Sequence, residues 1–355
     1  MTIVIDCRMI NASGIGVYLR GCLPFFFNTG NFFFLLGKKK ELVIYKKYSN
    51  VKIIDCNVKP FSLNELFFFL ISLIKQINKT DLFYSPYFNI PCGIKTPIYT
   101  TIHDIIFPDI PEITSKIGLF IRMQFFRRAY KKSNKIFTVS KFSKSRIEHH
   151  LGYTKPVIVT YSAIQHDFTE KREQLKYINK NNTIIFIGNI KKHKGLNCLL
   201  DAFIPAKKEG LSHKLVIIGS KDNFRTKDNS ILNKINEITD DSIQFTGFVS
   251  DNELMEYIAK AALLVQPSLY EGFGLPPLEA MFLGTPVLIS DIPVFKEIYD
   301  DFPVTYFKSD NPLELKDKLL SLLKNNKVIT PVLSKEQLSK YTFKKTAEKI
   351  LKELN

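Results

Sequence analysis

The sequence predicts an α/β fold made of two parallel-sheet domains, and three observations carry that expectation. The chain has 355 residues, enough for two domains of ~150 residues that each bury a core. Short β-branched and aliphatic runs alternate with amphipathic segments along its whole length, without a repeat of fixed period. Apolar strands separated by helices of about 10–15 residues mark parallel sheets covered on both faces. Finally, an apolar strand runs three times into a glycine-bearing turn and a helix, at Ile3–Cys7 ahead of Gly14 and Gly16, at Thr183–Ile187 ahead of Gly188, and at Leu263–Gln266 ahead of Gly272 and Gly274.

In chain order, the strands expected in the first half are Ile3–Cys7, Leu42–Tyr45, Leu82–Tyr84, Ile98–Ile102, Lys135–Val139 and Val157–Thr160. Those in the second half are Thr183–Ile187, Lys214–Ile218, Ile243–Thr246, Leu263–Gln266, Pro286–Ser290 and Val304–Tyr306. The polar stretch Gln165–Asn182 breaks the alternation and is read as the boundary. Two Rossmann-like domains in tandem would bind a ligand in the cleft between them, at the carboxyl ends of their strands.

Composition removes other classes. A chain that is 45% hydrophobic and 24% charged is neither a disordered tract nor a fibre. Its five cysteines lack any C-x-x-C pair and read as small buried hydrophobes in a reducing compartment. The longest strongly apolar run, Leu66–Ile74, is far short of the ~20 residues of a spanning helix, and no signal peptide is evident. The net charge of +16 points to an anionic partner. Residues 1–165 hold 23 Lys+Arg against 9 Asp+Glu, whereas residues 166–334 are nearly neutral. From Ile113 to Ile147 there is no acidic residue, and Lys116–Arg146 interleaves ten Lys+Arg with Ile117, Phe120, Ile121 and other apolar residues. That stretch suits either a core helix with a solvated basic face or a patch on anionic lipid. Nucleic acid is disfavoured, because no binding motif accompanies the charge.

Four constellations could carry chemistry. Tyr270-Glu271-Gly272-Phe273-Gly274-Leu275-Pro276-Pro277-Leu278-Glu279 follows an apolar strand. It reads as a loop whose amides point at an anion from a helix N-terminus, with Glu279 in the first helical turn and Glu271 in the loop. Both carboxylates could accept hydrogen bonds from hydroxyls, or simply be solvated. Gly188-Asn189-Ile190-Lys191-Lys192-His193-Lys194-Gly195 places three lysines at a helix start, suited to a diphosphate or merely a solvated loop. Gly14-Ile15-Gly16 is a strand–helix turn, but its next glycine, Gly21, falls too late for dinucleotide spacing, which disfavours a redox cofactor. Thr101-Ile102-His103-Asp104 sits at a strand end, where the His103-Asp104 dipeptide could coordinate a metal, act as a base or simply cap the following turn. No His, Cys or carboxylate cluster has metal-ligand spacing, and no D-x-D is present.

Taken in order, these motifs resemble the family-four retaining glycosyltransferases of the two-domain GT-B fold. The resemblance runs from Ile5-Asp6-Cys7-Arg8 and Gly14–Tyr18 through Thr101–Asp104, Thr138–Ser143, Gly188–Gly195 and Phe245–Val249 to Pro267–Glu279, Gly284–Val287 and Tyr341–Phe343. Glu271 to Glu279 matches the E-x7-E signature. The resemblance implies an N-terminal acceptor domain over 1–170, a donor domain over 171–339, and a helix over 340–355 that returns to the first. It implies that Glu279 binds the donor ribose, Glu271 the donor sugar and Lys194 the diphosphate, with His103 beside the transferred sugar. Amides near Gly14, Gly16, Gly274 and Leu275 would hold phosphates, and Phe248 and Val249 would line the base pocket. Asn189 stands where the family carries arginine, and Lys191 could replace that charge without its planar fork.

The expected function is retaining, metal-independent transfer of a sugar from a UDP- or GDP-linked donor to a glycan. No cofactor is expected beyond this co-substrate. The acceptor would be an O-antigen or capsule repeat on a polyprenyl diphosphate, reached by a cytoplasmic enzyme resting peripherally on the anionic inner face of the membrane. Alternatives are a transferase for another glycoconjugate, a nucleotide-sugar 2-epimerase of the same architecture, and a basic nucleic-acid binder.

Overall fold

The computed structural model describes every residue except 62–64, 66–68, 70, 176–177, 220–233, 235–240, 325–328 and 355. It divides into two compact units: Met1–Gln165 with Tyr341–Asn355, and His166–Lys340.

The first unit is built on seven strands, β1 (Thr2–Asp6), β2 (Phe32–Gly37), β3 (Val51–Asp55), β4 (Leu82–Ser85), β5 (Ile98–Thr101), β6 (Lys135–Thr138) and β7 (Val157–Val159). Their order is β3-β2-β1-β4-β5-β6-β7 and every pairing is parallel. The winding reverses between β1 and β4, so a crevice opens beyond the carboxyl ends of those strands. Neither β2 nor β3 was expected. The predicted strand Leu42–Tyr45 is instead helical, an α-turn Lys39–Leu42 running into a 3-10 turn Val43–Lys47. Leu42 is buried while Val43 and Ile44 are both exposed, so the period-two alternation of a strand is absent.

Three helices of this unit matter below. α1 (Ser13–Phe27) buries Tyr18, Leu19, Cys22, Leu23 and Phe26 against the sheet. α2 (Lys116–Lys132) and α3 (Lys141–Leu151) start at serines, where Ser115 Oγ accepts from the Gly118 amide at 3.0 Å and Ser140 Oγ from the Ser143 amide at 2.9 Å. The unit is completed by the C-terminal helix Phe343–Lys352. Phe343 fills the notch left by Gly21, where a Cβ would lie 2.2 Å from its ring. Tyr99 Oη and Lys135 Nζ donate to the Glu353 carbonyl at 3.0 and 2.7 Å, and Lys135 also pairs with the Glu353 carboxylate at 2.8 Å.

The two compact units meet in sequence between Gln165 and His166, at the start of the stretch read as the boundary. The stretch read as a polar boundary, part of which (176–177) lies outside the described residues, contains a helix, α4 (His166–Leu175). Phe168 is its buried anchor, which a count of polar residues overlooks.

The second unit carries β8 (Thr183–Ile187), β9 (Lys214–Ile218), β10 (Ile243–Gly247), β11 (Leu263–Gln266), β12 (Val287–Ser290) and β13 (Thr305–Phe307), in the order β10-β9-β8-β11-β12-β13. All are parallel, and the winding reverses between β8 and β11. Its helices include α5 (Leu196–Lys208), α6 (Asp251–Lys260), α7 (Leu275–Phe282), α8 (Pro293–Tyr299) and α9 (Pro312–Leu323). Leu199 and Phe203 of α5 share one core with Leu315 and Leu319 of α9. Each such buried side chain contributes about 1.5–3 kcal/mol over an exposed one. α4 rests on α7, with Arg172 Nε donating to the Phe282 carbonyl at 3.2 Å.

The cysteines are free; four are buried as expected, but Cys92 is exposed. Among the described residues no helix is long and apolar enough to cross a membrane. Of the apolar run Leu66–Ile74, residues 66–68 and 70 lie outside the described residues.

Candidate active site

In the second unit, the connections leaving β8 and β11 meet at the switch point, and both carry residues singled out in the sequence. Gly195 closes the first connection with φ +72°, and a Cβ there would lie 1.8 Å from the Pro267 carbonyl oxygen of the second. Only glycine allows that approach. The Leu269 amide then donates to the His193 carbonyl at 2.8 Å. These contacts aim Lys194 across the gap, where its Nζ donates to Glu271 Oε1 and Oε2, both at 2.8 Å.

Behind Glu271 stands a chain of hydrogen bonds that the sequence reading missed. Ser268 Oγ donates to Glu271 Oε1 at 2.8 Å, and Gln266 Nε2 donates to Ser268 Oγ at 2.9 Å. Ser290 Oγ holds the Ser268 carbonyl at 2.5 Å. Gln266, Ser268 and Ser290 are fully buried. The one local signal is a glutamine ending the otherwise apolar strand Leu263–Gln266. His193, also missed, is held neutral, its pKa pushed down to about 3 by burial and then by Lys194 and Lys191.

The loop continues to Gly274, whose φ of +84° turns the chain into α7, and whose carbonyl accepts from Tyr299 Oη. A Cβ at Gly274 would lie 2.3 Å from the Phe295 ring, so α8 fixes the start of α7. Pro276 and Pro277 follow in the first turn, where the amides of an α-helix lack carbonyl partners. Glu279 lies beyond that turn, not within it as expected, because α7 begins at Leu275. It is buried at 6% exposure, and burial, followed by the charge of Asp251, pushes its carboxyl up to about 7. Asp251 opens α6 directly after Phe248-Val249-Ser250, so that loop neighbours Glu279. Val249 is half-buried, but Phe248 is 91% exposed. Asn189 is half-buried and Lys191 exposed.

In the first unit, Gly14 and Gly16 belong to the first turn of α1, not to a free loop. The Gly16 amide donates to the Ala12 carbonyl at 2.7 Å, and a Cβ on Gly16 would lie 2.4 Å from the Ile10 carbonyl oxygen. Gly16 therefore serves packing, and the amides left without a helical carbonyl are those before it, including Gly14, which is exposed. His103 follows β5, which ends at Thr101, so it is not a strand residue. Its ring sits edge-to-face on Tyr18 at 5.0 Å, and its Nε2 donates to the Pro86 carbonyl at 2.9 Å. Burial pushes its pKa down to about 4, and the bond to Pro86 leaves Nδ1 as the acceptor. Asp104 accepts from the Ile106 amide at 3.3 Å and so caps the following turn.

Comparison with known proteins gives concordant findings. The family model described as glycosyl transferases group 1 matches residues 167–345, half of the chain. The chain is 33% identical over 208 residues to the O-antigen chain mannosyltransferase RfbU of Salmonella typhimurium, covering 56% of this chain and 53% of that one. It is 29% identical over 235 residues to the O-antigen chain mannosyltransferase B of Escherichia coli, covering 63% and 60%. The matched part thus spans about half of these relatives' length. Among solved structures, that of Anabaena HepE with UDP and glucose superposes with a TM-score of 0.72 over 100% of this chain and 99% of that one, at 17% identity. The sucrose-phosphate synthase of Thermosynechococcus elongatus gives 0.70 over 100% and 94%, at 15% identity. These likenesses establish the two-domain GT-B fold.

Proposed function

Because the chain belongs to the group 1 glycosyl transferases, we propose that it moves a sugar from a nucleotide-diphosphate donor to a hydroxyl of a growing glycan, with retention at the anomeric carbon. The observation that supports the reading is the Lys194–Glu271 pair at the β8/β11 switch point, because open α/β sheets generally take ligands at such a point. Lys194 would take the donor diphosphate and Glu271 the sugar hydroxyls, exchanging their mutual ion pair for contacts to the donor. Glu279 would hold the ribose, Phe248 and Val249 would flank the base, and the amides at Gly274 and Leu275 would meet phosphate oxygens. Lys191, exposed beside Asn189, would add charge near the leaving group.

In this reading the bond between the anomeric carbon and the diphosphate oxygen breaks, and the electron pair leaves with the diphosphate. Lys194 and Lys191 stabilise the developing charge, which makes the reaction metal-independent. The acceptor oxygen bonds to the anomeric carbon on the face just vacated, and its proton passes to the departing phosphate. His103, neutral and with Nδ1 accepting, would orient a hydroxyl of the transferred sugar.

The donor proposed first is an activated mannose, because two relatives are mannosyltransferases acting on O-antigen chains. The acceptor is then a lipid-linked O-antigen repeat. The enzyme would work at the cytoplasmic face, with the basic first unit against an anionic membrane surface. A panel of UDP- and GDP-sugars is scored for thermal stabilisation of the full chain, and the best binders are assayed for transfer to polyprenyl-diphosphate glycans. Stabilisation by one nucleotide sugar with transfer of its glycosyl group supports the reading. Lack of affinity for every nucleoside diphosphate, or loss of activity with EDTA that magnesium restores, overturns it in whole or in its metal-independent part.

A further inference from the structure

The outward face of α2 is divided along its length. α2 has 17 residues and spans ~25 Å. Met123, Phe126, Ala129 and Tyr130 are buried on its inner side. On the opposite side, residues three and four apart form one stripe. Ile117, Phe120 and Ile121 occupy its first half and are exposed at 74%, 64% and 49%. Arg127 and Lys131 occupy its second half, and Lys116 and Lys132 flank it; all four are exposed. Phe61, also exposed, packs on Phe125 one turn along from Ile121 and widens the apolar end. The acidic residues nearest in sequence are Glu112 and Glu148, both outside the helix. Three large apolar side chains on two successive turns are more than scattered surface hydrophobics, and among the described residues no ion pair engages Lys116, Arg127, Lys131 or Lys132 beside them.

We propose that this face of α2 docks on a lipid bilayer, with Ile117, Phe120 and Ile121 entering the acyl boundary while Lys116, Arg127, Lys131 and Lys132 meet anionic lipid phosphates. The inference rests on the reading of the first unit as membrane-facing and names the contact. A second protein chain could cover apolar side chains, but it would gain nothing from four cations without an acidic face of its own. A bilayer surface supplies both chemistries, an apolar layer under a layer of phosphates. The apolar half penetrates and the cationic half lies flatter, so the helix meets the surface tilted.

The chain contains no tryptophan, so Phe120→Trp installs a single reporter at the wedge. On vesicles of phosphatidylcholine with phosphatidylglycerol, its emission shifts to the blue and is quenched by brominated acyl chains. In co-sedimentation with the same vesicles, Ile117→Ser/Phe120→Ser/Ile121→Ser weakens binding by more than about tenfold at every salt concentration. Arg127→Gln/Lys131→Gln weakens it by about fivefold per charge at low salt and reduces the salt dependence. Circular dichroism and thermal midpoints near those of the parent chain show that the variants fold. Both variants keep nucleotide-sugar binding, so a failure here is distinct from a failure of the donor site. The proposal is overturned if the tryptophan stays water-exposed and unquenched on the vesicles. It is equally overturned if the triple variant binds vesicles like the parent, or if it changes the oligomeric state by light scattering without changing vesicle binding.

Discussion

Lys194 and Glu271 are 77 residues apart in sequence, yet the lysine Nζ is equidistant, at 2.8 Å, from the two oxygens of the glutamate. Gly195 and Pro267 make this possible, because the close backbone approach of their connections leaves the side chains facing each other. The pair is only partly exposed, so it is screened less than a surface ion pair.

Breaking the pair from either side should have different consequences. Lys194→Ala leaves Glu271 its bond from Ser268 and should cost about 1–3 kcal/mol of stability, with donor KM and kcat both worsened. Glu271→Gln keeps the size and loses the charge, and should abolish transfer while the thermal midpoint stays near the parent's. A Glu271→Gln enzyme with parental kcat/KM would remove the carboxylate from the reaction.

Ser268 positions Glu271. Ser268→Ala strips the carboxylate of one donor and leaves the buried Gln266 amide without its acceptor, at a cost of about 1–3 kcal/mol. The expected kinetic signature is a fall in kcat of about tenfold, recovered by Ser268→Thr, which restores the hydroxyl. A loss of stability with kcat unchanged would show that the chain only supports the fold.

Gly195→Ala should be among the most damaging single substitutions. The site combines φ +72° with a backbone oxygen 1.8 Å from the new methyl, and such a clash cannot be relieved by a side-chain rotation. A loss of more than about 3 kcal/mol is expected from the clash added to the left-handed backbone. Gly30→Ala, with nothing within 4 Å of the added atom, is the control and should change stability by less than about 0.5–1 kcal/mol. Urea unfolding of both variants measures the contrast.

Burial of Glu279 gives stability a pH dependence of known sign. Well below the ordinary value of 4.5, its carboxyl is protonated in both folded and unfolded chains. As pH rises from 4.5 to about 7, the unfolded chain releases the proton while the folded chain keeps it, so stability falls across that window. The loss is complete above it and amounts to about 3 kcal/mol. Glu279→Gln should therefore match the parent at acidic pH and exceed it above neutrality, as denaturant titrations on either side of the window will show. A parent–variant difference that does not change with pH would contradict the burial argument.

Legibility varied with the kind of force involved. Glu271, Glu279 and Lys194 stand out in the sequence because their motifs pair glycines and prolines with charge at fixed offsets. Ser268 and Gln266 do not, because a buried hydrogen-bond chain has no periodicity. Of the strands, β8 to β13 were found as isolated apolar runs. β2 was missed because Phe32–Leu36 follows the apolar end of α1 after only four residues, and a phenylalanine run suits helix and strand alike. β3 was missed because Val51–Asp55 is short and carries a lysine and an aspartate. α4 hides behind its charge, since a ten-residue helix with Phe168 as its buried anchor looks like linker in composition.

The return of Tyr341–Asn355 to the first unit has a consequence for the order in which the protein can be made. Phe343 fills the space beside Gly21, and Glu353 accepts from Tyr99 and Lys135, yet all of His166–Lys340 is synthesised between those partners. On the ribosome the second unit can therefore finish folding while the first still exposes the groove on α1 that Phe343 will occupy. A nonsense codon just before Tyr341 would spare the later-made half and cripple the earlier one.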